Sequence, residues 1–220
     1  MSAQRVAIVE DHGLIAHTLA AALQRAGIDA QILPLPDDGD LVGAVTADHP
    51  DLVLLDLDLG AWGDATRAIS PISDSGVRVV MLTGVDDPAR RARCVDQGAV
   101  GVLSKSLGFD DLFAAVKRAL TDGTLLTAHE RQEQLALLRE HEREEQHRLG
   151  PFEELSRREA EVLGELMAGR SVEQIAEASF VSVTTVRTQV RAILTKLGAS
   201  SQVAAIGRAR EAGWVPPQER

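Results

Sequence analysis

Five residues able to do chemistry stand at or just beyond the ends of short apolar runs. The acid pair Glu10-Asp11 comes directly after Val6–Val9, Asp56 follows Leu52–Leu55, Thr83 follows Val77–Leu82, and Lys105 stands two residues beyond Leu103. Three carboxylates brought to one edge repel one another, a cost that a cation among them relieves. Donors that are all oxygen suit a hard divalent ion, Mg²⁺ above all, with water completing its shell. A hydroxyl and an ammonium beside such a site are suited to the oxygens of a phosphoryl group.

A second set of residues lies far down the chain. Ser182 occupies an N-cap position before a helix whose apolar residues Val183, Val186, Val190, Ile193 and Leu197 recur at helical spacing. Its other face carries Thr184, Thr185, Arg187, Thr188, Gln189, Arg191 and Lys196, with no acid among them. The chain has a formal net charge of −10, so an acid-free basic face needs a reason. Nucleic acid is the leading one.

The elements that must position these groups alternate over the first 121 residues. Apolar runs at Arg5–Val9, Ala30–Leu33, Leu52–Leu55, Val77–Leu82 and Val100–Leu103 read as strands. Segments near 13–26, 37–48, 64–74, 86–97 and 109–121 read as helices between and after them. Strands this apolar, separated by helices, predict a parallel sheet covered on both faces. Five such units match a flavodoxin-like doubly wound α/β domain, whose ligands sit beyond the carboxyl ends of the strands. The five reactive residues fall at those ends.

Residues 122–150 are dominated by Glu, Gln, Arg and His and read as a charged helical linker, solvated or forming a short coiled-coil dimer contact. Residues 151–220 then read as an all-α domain of four helices. Ser156 with Glu159, and Ser171 with Gln174, are capping-box patterns opening two of them. The helix after Ser182 is the third, and Ser201 to Ala212 forms the fourth, with Trp214 capping the core or extending a dimer contact. Charge divides with this organisation: the first 121 residues carry −7, the linker −3, and the last 70 are neutral. The acidity lies at the front, which leaves the C-terminal domain free to present a basic surface.

Hydrophobic residues make up 45% of the chain, enough for packed cores, yet no apolar run approaches the ~20 residues of a membrane span. No signal peptide is read at the N-terminus, and the single cysteine, Cys94, fits a cytoplasmic protein without disulfides and reads as a small residue on a helix.

In this order along the chain, Glu10, Asp11, Asp56, Thr83 and Lys105 resemble the receiver domain of two-component response regulators. The block LSRREAEVLGELMAGRSVEQIAEASFVSVTTVRTQVRAILTKLGASSQVAAI is similar to the LuxR-type helix-turn-helix. Together they resemble the NarL/FixJ family of response-regulator transcription factors. The resemblance implies that Asp56 is a phosphoacceptor served by a sensor histidine kinase, that Glu10, Asp11 and Asp56 hold Mg²⁺, and that Lys105 and Thr83 bind the phosphoryl oxygens. It also implies that the helix from Ser182 enters the major groove of double-stranded DNA, with Arg187, Thr188 and Arg191 facing it. Arg187 is the expected principal base reader; Gln189 stands where the family often has His. Thr184, Thr185 and Lys196 are placed as phosphate contacts. The segment Ser201–Ala212 would pair two copies, so a homodimer is expected. Three residues depart from the family pattern: Val102 replaces a Tyr or Phe, Gly60 a Pro, and Asp58 adds a negative charge beside Asp56. They support a second reading, an atypical regulator whose receiver is not phosphorylated and serves dimerisation or ligand sensing. A small phosphatase on the acidic site is a third, opposed by the C-terminal block, for which an enzyme has no use.

Overall fold

The computed structural model describes residues 4–217. The chain divides into two compact units, Met1–Glu140 and His141–Arg220.

The first unit is built on five parallel strands: β1 (Arg5–Val9), β2 (Asp29–Ile32), β3 (Leu52–Asp56), β4 (Arg78–Thr83) and β5 (Gly101–Ser104). They lie in the order β2-β1-β3-β4-β5, so the chain reverses its direction of winding between β1 and β3. That crevice is where open α/β sheets of this order bind ligands. The period-2 alternation of side chains sends Ala7, Val9, Val53, Leu55, Val79 and Met81 to one face and Val6, Ile8, Leu52, Leu54, Val80 and Leu82 to the other. Helices α1 (Gly13–Arg25) and α5 (Phe109–Asp122) cover the second face through Leu19, Leu23, Leu112 and Val116. Helices α2 (Leu41–Ala47), α3 (Thr66–Asp74) and α4 (Pro88–Asp96) cover the first through Val45, Ile69, Ile72 and Cys94. Each large side chain so buried stabilises by roughly 1.5–3 kcal/mol. Cys94 is a packing residue: burial pushes its thiol up to about 11, so almost no thiolate exists near neutral pH.

Helix α5 ends at Gly123, whose φ of +74° gives it a left-handed stop. The next residues lie along the edge of β5, where the Leu125 N–H donates to the Val100 carbonyl at 2.9 Å. The approach is close: a Cβ on Gly101 would stand 2.6 Å from that of Leu125. Helix α6 (Ala128–Glu153) follows, and the division between the units falls inside it. Arg131, near its start, donates to the Val95 carbonyl of α4 at 3.0 Å. Its last turn runs through Pro151. There the lost backbone donor is offset by Phe152, which is buried and stacks on Trp214 at 5.5 Å. Trp214 thus caps the core.

The second unit packs α7 (Arg157–Met167), α8 (Val172–Ala178), α9 (Val183–Lys196) and α10 (Gln202–Glu211) around Leu163, Leu166, Ile175, Val186, Ile193 and Ala209. Both capping boxes form as their sequences predict, and Ser182 and Ser201 cap α9 and α10. Glu159 does more than close its box. Its largely buried carboxylate accepts from the Ser156 N–H at 2.6 Å and from the Lys196 ammonium at 2.7 Å. Lys196 chiefly, and then the Ser156 bonds, hold that carboxyl below the usual carboxylate range. A depressed carboxyl stabilises the fold above its unfolded pKa of ~4.3, and the contribution vanishes as pH falls through the lower folded value. Glu159→Gln should therefore cost about 1–2 kcal/mol at pH 7. The deficit should close on acidification. Urea unfolding followed at Trp214 in a Trp62→Phe background measures both.

Candidate functional site

The crevice between β1 and β3 gathers the sequence-predicted acids. Glu10 and Asp11 leave the end of β1, and Asp56 closes β3 with 1% of its surface exposed. One ligand atom from each of Glu10, Asp11, His12 and Asp56 lies within 4.8 Å of the others. Lys105, just past β5, reaches into this cluster. Its ammonium donates to Asp56 Oδ2 at 2.7 Å and to Glu10 Oε1 at 2.9 Å, and stands 2.7 Å from Glu10 Oε2. Burial pushes the Asp56 carboxyl above its ordinary range, against the opposing Lys105 bond. Burial pulls the Lys105 ammonium down, but its bonds to Asp56 and Glu10 outweigh that and leave it raised and charged. The crevice therefore holds three carboxylates against one ammonium, an oxygen donor set with charge to spare for a divalent cation.

Thr83 is buried at the end of β4, yet its hydroxyl donates to the Val85 carbonyl at 2.9 Å and accepts the Val85 N–H at 3.2 Å. The fold brings it to the correct edge with its hydroxyl committed to its own loop. His12, which sequence reasoning passed over, hydrogen-bonds Glu10 at 3.0 Å and lies 2.7 Å from Asp11, and these partners raise its pKa, the Glu10 bond most.

The departures in the acceptor's loop have physical reasons. Gly60 sits at φ +55°, which proline cannot adopt, and a Cβ there would stand 2.6 Å from Asp11 Oδ2. Asp58 is not an uncompensated charge, because Arg90 of α4 forks onto both its oxygens at 2.6 and 3.2 Å. The same guanidinium reaches Asp64 at 2.8 Å. Val102 is half-buried and packs against the α2–α4 side of the sheet.

In the second unit, Thr184, Arg187, Thr188 and Arg191 form one exposed stripe along α9 at helical spacing. Thr195 extends that stripe and was missed in the sequence, although it stands four residues beyond Arg191. Thr185 is exposed at its flank, its hydroxyl on Ser182 at 2.8 Å. Arg187 lies 3.4 Å from Glu173 of α8. Gln189 is half-buried beside the stripe. Lys196 departs from the expected phosphate contact: its ammonium is spent on Glu159 and on the Glu154 carbonyl at 2.9 Å, so it ties α9 to α7.

Residues 6–117 match the family model for the response regulator receiver domain, and residues 153–209 match that for bacterial regulatory proteins of the luxR family. The chain is a response regulator. It is 30% identical over 212 residues to a nitrate/nitrite response regulator protein homolog of Haemophilus influenzae, covering 91% of this chain and 93% of that one. It is 29% identical over 217 residues to a probable transcriptional regulatory protein NarL of Mycobacterium tuberculosis, covering 93% of each. It is also 27% identical over 199 residues to the transcriptional regulatory protein DesR of Bacillus subtilis, covering 86% and 92%. This response regulator thus pairs a receiver with a LuxR-type DNA-binding domain and acts in transcription. Among its described residues no helix is long and apolar enough to cross a membrane.

Proposed function

We propose that this regulator is switched by phosphorylation of Asp56 in the cytoplasm, the donor being a phosphohistidine of a sensor histidine kinase. The observation that carries the reading is the Lys105 ammonium, 2.7 Å from a buried Asp56 carboxylate flanked by Glu10 and Asp11. An Asp56 oxygen attacks phosphorus, the phosphorus–nitrogen bond breaks, and its electron pair leaves on the imidazole. Glu10, Asp11 and Asp56 would hold Mg²⁺, which when bound supplies positive charge to the transferring oxygens. Lys105 moves from Asp56 Oδ2 to a phosphoryl oxygen, keeping its charge throughout. Thr83 exchanges its bond to Val85 for another phosphoryl oxygen, and that exchange draws on the β4–α4 loop. A ligand shifts an equilibrium only by its differential interaction with the two states, and the Thr83 bond is such an interaction.

On the DNA side, α9 lies in the major groove with Arg187 and Arg191 toward base edges, while Thr184, Thr185, Thr188 and Thr195 line the phosphates. One helix reads too few base pairs to select a site, so two copies on paired half-sites are required. Val203 on α10 is 79% exposed and offers an apolar contact for the second copy.

Beryllofluoride with Mg²⁺ tests the switch. DNA enriched by the protein from a random pool supplies the probe, and light scattering reads the mass. The mimic should convert monomer to dimer and tighten binding to the selected DNA. Unchanged mass and affinity would instead favour the receiver that is never phosphorylated.

A further inference from the structure

Asp58 and Asp64 bracket the turn Gly60–Trp62 in the loop that follows the acceptor, and their backbones form an antiparallel bridge. Buried Leu57 and Leu59 pin that loop to the core. The Asp58 N–H lies 3.3 Å from Asp56 Oδ1, so the loop touches the acceptor itself. Arg90 is rooted in the first turn of α4, where the Asp87 carboxylate accepts the Ala89 and Arg90 N–H groups at 2.9 and 3.1 Å. From there its guanidinium makes a two-pronged bond to Asp58 and a third bond to Asp64. Its side chain is only 25% exposed, and the two carboxylates hold its pKa above the ordinary arginine value.

A fork held by three charge-assisted bonds is a fixed feature rather than a passing surface pair. We infer that Arg90 is a positioning residue for phosphoryl acceptance, halving the Asp58–Asp64 charge so that the acceptor's surroundings admit a dianionic donor. The inference rests on Asp56 being the acceptor. Lys105 answers Glu10 and Asp56, and Arg90 answers the two loop acids. With Arg90 present the three groups Arg90, Asp58 and Asp64 sum to −1; without it they sum to −2. That extra charge repels the donor and attracts a divalent cation, two effects of opposite sign that general damage to the fold would not produce together.

The experiment measures initial labelling by radiolabelled acetyl phosphate at saturating Mg²⁺, and Mg²⁺ affinity from the fluorescence of Trp62 in the same loop. A unit charge at this range, partly screened, predicts that Arg90→Ala slows labelling about tenfold and tightens Mg²⁺ several-fold. Arg90→Lys keeps the sum at −1 and should recover most of both. The double variant Arg90→Ala with Asp58→Asn also returns the sum to −1, although it abolishes the fork, and should come within about twofold of wild type. Wild-type labelling by Arg90→Ala, or a double variant as slow as the single one, would overturn the inference. Should wild type itself take up no label, the acceptor assignment falls, while the Mg²⁺ titration still reports whether Arg90 sets the charge.

Discussion

Asp56→Asn takes up no phosphoryl group from acetyl phosphate with Mg²⁺, and it remains folded. The amide matches the carboxylate in shape but is not a nucleophile, so no acyl phosphate forms and labelling falls to background rather than by a factor. The stability half of the result follows from burial. Asp56 is almost wholly enclosed, and burial raises its pKa, meaning that the fold disfavours the ionised form. A carboxyl raised in the folded state contributes stability at low pH that is lost as pH rises through the unfolded and then the folded pKa. At neutral pH burial opposes its ionisation, and the amide removes that cost along with the repulsion from Glu10, in exchange for a weaker bond from Lys105. The amide oxygen still accepts from Lys105. The melting temperature of Asp56→Asn should equal or exceed that of wild type, and its advantage should shrink on acidification. Label appearing in the variant at the wild-type rate would place the acceptor elsewhere. A collapse in melting temperature would mean that the Lys105 pair holds the crevice together, and that loss of label is a folding effect.

Much of this crevice was legible because each reactive residue follows an apolar run. Parallel strands buried on both faces cannot alternate, so Val6–Val9 and Leu52–Leu55 announce both the strand and the point where it ends. Glu10, Asp11 and Asp56 are brought together by that rule alone, and Lys105 with them. Helix boundaries were less clear. The second helix reads as 37–48 but forms at Leu41–Ala47, because Gly39 turns at φ +85° and Asp40 caps by accepting the Gly43 N–H. Tertiary pairs were not legible at all. In the sequence Asp58 is simply an added charge, because its partner Arg90 lies 32 residues away on another helix. The place of Lys196 on the polar side of α9 suggests a phosphate contact, yet Glu159, 37 residues earlier, accepts from its ammonium. Thr83 illustrates the remaining gap: its strand end is plain from the sequence, but its rotamer is decided by Val85.

Losing Arg187 or Arg191 weakens binding to the selected DNA while leaving the fold intact, and this separates the reading face of α9 from its packing face. The packing face is Val186 and Ile193, both essentially without exposure, so substitutions on the stripe leave no cavity. Arg187 is 66% exposed, and its 3.4 Å pair with Glu173 is the kind of surface contact worth little to stability. Its expected value lies in the groove, where a bidentate guanidinium on guanine discriminates by about 1–3 kcal/mol. Arg187→Ala should thus weaken specific binding ~5- to 150-fold at fixed salt, with a much smaller loss on unrelated DNA. Arg191→Ala should weaken both, since it shares its contacts with phosphate, and should reduce the salt slope by about one ion per bound copy. The two residues lie one turn apart on the same stripe, so the double variant should fall short of the product of the single losses. Lys196→Ala is the internal contrast: it should lower the unfolding midpoint through Glu159 more than it lowers DNA affinity. Equal affinities for wild type and Arg187→Ala on the selected sequence would remove α9 from the groove, however basic its face.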